Sequence, residues 1–290
     1  MKKLFVLSLL TSLLLGGCKN NPANQNTTTK AIADYELTEI WKTDTILKTP
    51  ESVLYDEIRD VIYVSNINSN PSEKDLNGFI SRLSSTGEIL DLEWVKGLSA
   101  PKGMGVFDNL LYVADITDLV IIDIEEGKII QTIPVDSSIF LNDISIDMTG
   151  LVYISDSRTG KIHTYKDGKV SVWKVGLTNP NGLYAEESRI LLATSNFNAL
   201  DPATGELTLL CDSIGHGDGI EFTGLPGYYL VSDWTGEVFL VYPDNTKKSL
   251  LQTRDQKKNT ADIGFIKSDM TLLVPTFFDN RVVAYEFSEK

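Results

Sequence analysis

Asn142–Val175 reads NDISIDMTGLVYISDSRTGKIHTYKDGKVSVWKV. Four short runs rich in Ile, Val and Tyr (DISID, LVYISDS, KIHTYKD and VSVWKV) alternate with turn residues, and Asp167-Gly168 is a two-residue hairpin signal. The stretch predicts four antiparallel strands in a meander. From Tyr35 onward no long segment shows the 3.6-residue apolar period of a helix, so the same grammar governs the rest of the chain.

Working outward, the pattern repeats. GLSAPKGM at 97–104 and GLTNPNGL at 176–183 share the phrase G-L-[ST]-x-P-x-G-[LM]. Six openings align as PESVLY, PKGMGV, LNDISI, PNGLYA, GDGIEF and ADIGFI, with Glu51, Lys102, Asn142, Asn181, Asp218 and Asp262 as their polar residues. Each is followed by a second apolar run: VIYVSN, LLYVAD, LVYISD, LLATSN, YLVSD or LLVPT. The later openings are 37 to 44 residues apart, and the first gap of 51 holds the insertion NINSNPSEKDLNG. Six four-stranded units of this length predict an all-β, six-bladed β-propeller. Only three strands follow Asp262, so YELTEIWK, Tyr35–Lys42, is expected to supply the missing fourth and close the ring from the N-terminal side.

The chain has 290 residues, 42% of them hydrophobic, and a net charge of −14. No basic stripe offsets that charge, which argues against nucleic acid as a partner. MKKLFVLSLLTSLLLGGCKN starts with two lysines and an apolar run too short to span a bilayer, ending in Leu-Gly-Gly-Cys. It resembles a bacterial lipoprotein signal. Residues 1–17 are then a signal peptide, Cys18 the lipidated first residue, and 18–33 a tether containing the polar NNPANQNTTTK; the propeller spans 34–290. Lys19 after the cysteine favours the outer membrane, with the domain facing the periplasm or the surface. Cys211 is the only other cysteine, so with Cys18 acylated no intramolecular disulfide forms.

Chemistry is expected where the six openings meet the channel. Their carboxylate and amide oxygens suit a hard divalent cation, although Asp and Asn also cap backbone groups where strands start. Two histidines exclude a three-histidine zinc site, and there is no P-loop, Rossmann glycine pattern or G-x-S-x-G elbow. Asp115, Asp156 and Asp233, recurring after the second strand, are expected to be turn residues. His216, two residues before Asp218, is expected as a polar residue at the mouth, with a proton shuttle as the alternative, and His163 at the surface or in strand packing.

PESVLYDE, FLNDISID, NPNGLY and GDGIEF, in that order, resemble motifs of the senescence-marker-protein (regucalcin), gluconolactonase and luciferin-regenerating-enzyme propellers over roughly Tyr35 to Lys290. The resemblance implies a metal-dependent hydrolase of a lactone or related ester. Glu51, Asn181 and Asp218 would hold the metal (Ca²⁺ first, with Mg²⁺ or Zn²⁺ as alternatives), Asp218 would act as general base on a metal-bound water, and Asn142 would contact a small-molecule substrate. Two positions depart from the pattern: Phe140 stands where the lactonases often carry Arg, and Ile144 where Gly is usual. Lys102 puts an ammonium near the proposed metal, where it would repel the cation or select an anionic group on the substrate. The alternative is a non-catalytic binding propeller, similar to NHL-repeat scaffolds, for a protein, glycan or small ligand.

Overall fold

The computed structural model describes residues 33–290; the leader, Cys18 and the tether up to residue 32 lie outside the described residues. The described chain forms six four-stranded antiparallel sheets arranged as a six-bladed propeller. The third blade has the four strands expected of it, at Leu141–Ile146, Val152–Asp156, Lys161–Lys166 and Lys169–Lys174. Its last hairpin turns at Asp167 and Gly168, with φ of 48° and 80°. Two successive positive values define the tight turn that matches strand twist.

The ring closes as expected. Tyr35–Lys42 pairs antiparallel with Val282–Glu289, from Tyr35 opposite Glu289 to Lys42 opposite Val283. The pairing covers an edge that would otherwise present unpaired backbone groups. Tyr35 also stacks on Phe287 with ring centroids 4.6 Å apart, so the closing strand is held by a side-chain contact as well. On the axis, a parallel bridge between Ser52 and Asp262 joins the first and last blades.

The apolar core lies between adjacent blades rather than at the centre. One cluster packs Leu111, Val113 and Val120 of the second blade on Tyr63 and Ile80 of the first. Another packs Leu191, Phe197 and Ala199 of the fourth on Tyr229, Val231 and Phe239 of the fifth. The innermost strands serve both sides: Val53, Met104, Ile144, Leu183 and Ile220 join the inter-blade clusters, while the polar residues at the strand starts face the channel.

Local irregularity shapes that channel. Register shifts fall at Pro50/Ser52, Pro101/Met104, Leu141/Ile144 and Gly217/Ile220, so Glu51, Lys102, Asn142 and Asp218 all sit within β-bulges. A bulge re-aims the extra residue and frees a backbone N–H. Serines of the neighbouring strand accept the freed groups: Ser65 from Ser52 (2.9 Å), Ser155 from Asp143 (2.9 Å) and Ser232 from Gly219 (2.8 Å). These serines are the small residues that recur before the strand-end Asp or Asn.

The sixth opening departs from the expected ring. Ala261, not Asp262, stands level with Glu51, because the bridge across the first and last blades sets Asp262 opposite Ser52. Asp262 aligns with Ser52, Asp143 and Gly219, one step further down the channel. The channel is narrow at this level. A Cβ on Gly182 would stand 1.7 Å from the Asp218 carbonyl oxygen, and one on Gly219 2.4 Å from the Ile263 nitrogen. Glycine is required there by space, not by backbone conformation.

Candidate functional site

Glu51, Lys102, Asn142, Asn181 and Asp218 all line one cavity of about 540 Å³ at the strand-start end of the channel. Strand-end side chains fix the loops that deliver them. Asp115 accepts the Ser99 and Ala100 N–H groups at 2.8 and 2.7 Å, just ahead of Lys102. Asp156 accepts those of Ile139 and Phe140 at 3.0 and 3.1 Å, just ahead of Asn142. Asp233 takes the His216 N–H at 3.3 Å, and ion-pairs with Arg254. The recurrent aspartates are therefore turn residues, as expected. His216 is 77% exposed at the mouth, and His163 is buried in the third blade.

Three oxygen-bearing side chains converge. Asn181 Nδ2 donates to Asp218 Oδ1 at 2.7 Å, leaving the amide oxygen facing away from that bond. Asn181 Oδ1 and Glu51 Oε2 are both buried with no hydrogen-bond partner. Leaving such atoms unsatisfied costs about 1–3 kcal/mol each, and more for a charged group. Burial, with repulsion from Asp218 and Asp262 and against the pull of Lys102, pushes Glu51 well above the usual carboxylate range. Burial and Asp262 do the same to Asp218, with the Asn181 hydrogen bond opposing. Among the described residues no three His, Cys, Asp or Glu side chains come together in metal-binding geometry, so any cation set here depends on the Asn181 amide.

Asn142 Nδ2 donates to Ser157 Oγ at 3.1 Å, and Ser157 Oγ donates to the Pro180 carbonyl at 2.8 Å. The second amide hydrogen of Asn142 remains for a ligand. Lys102 is differently engaged from its sequence-based role. Its Nζ donates to the carbonyls of Ala100 (2.9 Å) and Pro71 (3.1 Å), and lies 4.4 Å from the centre of the Phe140 ring. Pro71 belongs to the first-gap insertion, so Lys102 ties that loop to the cavity rim. Burial lowers the Lys102 ammonium to about 8, against the pull of Glu51.

A second set of lining residues was not anticipated as a group: Ile67, Ser157, Trp234 and Phe277. Each directly follows the last residue of a second-strand run (Asn66, Asp156, Asp233 and Thr276). The repeat that located the openings therefore carried this signal too, one residue past the strand end.

Beyond the glycine-tight level the channel opens into a cavity of about 240 Å³, lined by Ser52, Asp143, Ser145, Glu221, Asp262 and Lys267 among others. Burial, opposed by the Ser52 hydroxyl at 2.5 Å, pushes Asp262 up to about 7. Burial, opposed by Lys267, pushes Glu221 to about 8. Both groups keep their protons in the folded chain at pH values where the unfolded chain has lost them. Between about pH 4 and 7 the unfolded state thus binds fewer protons, and stability falls as pH rises, by at most about 1.4 kcal/mol per pH unit for each group. Thermal unfolding of the chelator-treated domain should show a melting temperature that drops across this window. Asp262→Asn should flatten the slope and raise the melting temperature at pH 7.

No protein-family model matches the chain, and no curated protein matches it in sequence. Solved structures do resemble it. A streptogramin B lyase superposes with a TM-score of 0.63 at 13% identity, over 88% of this chain and 98% of the other. A catalytically inactive virginiamycin B lyase from Staphylococcus aureus, with quinupristin, gives 0.61 at 12% identity over 87% and 99%. Nidogen, from its complex with laminin, gives 0.62 at 17% identity over 75% and 84%. At these identities the likeness shows a shared propeller fold and leaves function to the site.

Proposed function

We propose that the strand-start cavity is the divalent-cation site of a hydrolase similar to the gluconolactonase-type propellers, acting on a lactone or related ester. The observation that carries this reading is the pair of buried, partnerless oxygens, Glu51 Oε2 and Asn181 Oδ1, on one cavity with Asp218. Two carboxylates and an amide fit a hard cation with oxygen preference, Ca²⁺ first, and leave coordination positions for water. A bound cation would also relieve the repulsion among Glu51, Asp218 and Asp262.

When bound, the cation would polarise the ester carbonyl as a Lewis acid. The rest falls to the chain. Asn181 holds the Asp218 carboxylate in place through its 2.7 Å hydrogen bond. Asp218 takes a proton from the attacking water as the water oxygen bonds to the carbonyl carbon. The free amide hydrogen of Asn142 orients the carbonyl oxygen. The ester C–O bond then breaks as Asp218 returns its proton to the leaving oxygen, so that a lactone gives a hydroxy acid and an acyclic ester gives an acid and an alcohol. In the same proposal, acylated Cys18 tethers the domain to the bacterial envelope.

Lys102 favours the second reading, a non-catalytic binding propeller, because its ammonium already supplies positive charge beside Glu51. Calorimetric titration of the chelator-dialysed domain with Ca²⁺, Mg²⁺ and Zn²⁺, followed by assays on lactone and ester panels, separates the two. The hydrolase reading expects one of these cations to bind and to support turnover. Absence of binding by all three, with no turnover, selects the binding propeller.

A further inference from the structure

We infer that Arg158, and not Lys102, is the anion-binding residue of the mouth, and that the ligand there is a carboxylate carried on an apolar body. This deepens the hydrolase reading by giving its substrate class, and rests on the same cavity. The chain has six arginines, and five of them, Arg59, Arg82, Arg189, Arg254 and Arg281, contact a carboxylate. Arg158 lines the cavity and is the one arginine without such a partner among the described residues. In a chain of net charge −14, a guanidinium left unpaired at a cavity lip stands apart.

Its geometry suits recognition. The guanidinium carbon lies 4.6 Å from the centre of the Phe140 ring, which orients the planar group. Its side chain makes one hydrogen bond, from Nη2 to Ser72 Oγ at 3.1 Å, so most of its five donors remain for a forked contact with a carboxylate. Lys102 has two of its three donors committed to backbone carbonyls. Ile67, Trp234 and Phe277 offer an apolar wall for the remainder of the ligand, in a volume of about 540 Å³.

The test uses 3-phenylpropanoate and its neutral amide as probes, measured by ligand-observed NMR on the chelator-dialysed protein so that no cation contributes. The acid should bind at least about tenfold more tightly than the amide, the worth of one charge-assisted pair. Arg158→Gln should abolish that ratio by weakening the acid alone, Arg158→Lys should keep part of it, and Lys102→Gln should leave it within about threefold. Equal binding of the two probes, binding of neither, or a ratio that survives Arg158→Gln and collapses in Lys102→Gln overturns the inference. The hydrolase reading fails separately: an Arg158-dependent ratio with no turnover under any cation sinks that reading alone, and turnover without the ratio sinks this one alone.

Discussion

Asp218→Asn is expected to lose about 10³-fold in turnover while changing cation affinity far less. The substitution keeps the side chain's size and one oxygen, and removes the group that accepts the water's proton. Asn181 Nδ2 donates to Asp218 Oδ1, and an amide oxygen at residue 218 can still accept it, so the local geometry survives. Calorimetry gives the affinity and steady-state hydrolysis of the best lactone or ester gives the rate. If the two fall together, Asp218 only holds the ion. If neither changes, the proposed site is not where the chemistry occurs.

The largest stability effect is expected at a residue with no functional group. Gly182→Ala places a methyl 1.7 Å from the Asp218 carbonyl oxygen, against backbone of the neighbouring inner strand. Backbone cannot swing aside as a side-chain tip can, so the strands must part around the axis. Overpacking a tight site costs about 1–3 kcal/mol and occasionally more, and a clash this close belongs at the upper end. Gly168→Ala provides the contrast. Nothing lies within 4 Å of its Cβ, and the cost is only that of an L-residue at φ 80°, about 1 kcal/mol. Urea unfolding of both variants should rank them in that order, and equal losses would contradict the narrow-channel account. Gly182→Ala should also lower cation affinity, since it displaces the backbone that carries Asp218.

The blades were legible because each strand must announce itself locally. Alternating apolar runs, Asp-Gly turns and a repeat near forty residues are all short-range signals. Closure by Tyr35–Lys42 was legible by counting, since a sheet lacking one strand needs a donor. The channel was harder. Glu51, Lys102, Asn142, Asn181 and Asp218 do share one cavity, but Asp262 does not join them at the mouth, because the last opening is displaced by one residue. A one-residue displacement along a strand changes both face and depth, and it leaves composition unchanged. Lys102 does line the mouth, but the groups that hold it there lie outside the repeat. Its acceptors, the carbonyls of Ala100 and Pro71, are backbone groups, and one of them sits 31 residues away in an insertion whose path no repeat predicts. Arg158 was hidden for the same reason: what sets it apart is a missing carboxylate, which is a property of the folded surroundings.

Joining the ends of the chain in one sheet also governs when the domain can become whole. Tyr35 meets Glu289 across 254 intervening steps of chain, so the first strand to be synthesised has no sheet to join until the last has been made. The entropy of bringing such distant ends together grows only slowly with length, but nothing repays it until both strands are present. During synthesis the earlier blades can pack on one another while Tyr35–Lys42 waits, its amide and carbonyl groups open to any other strand edge nearby. Ring closure is then a late event, and a chain interrupted before Val282 would leave Tyr35–Lys42 without a partner and Thr271–Pro275 with an open edge.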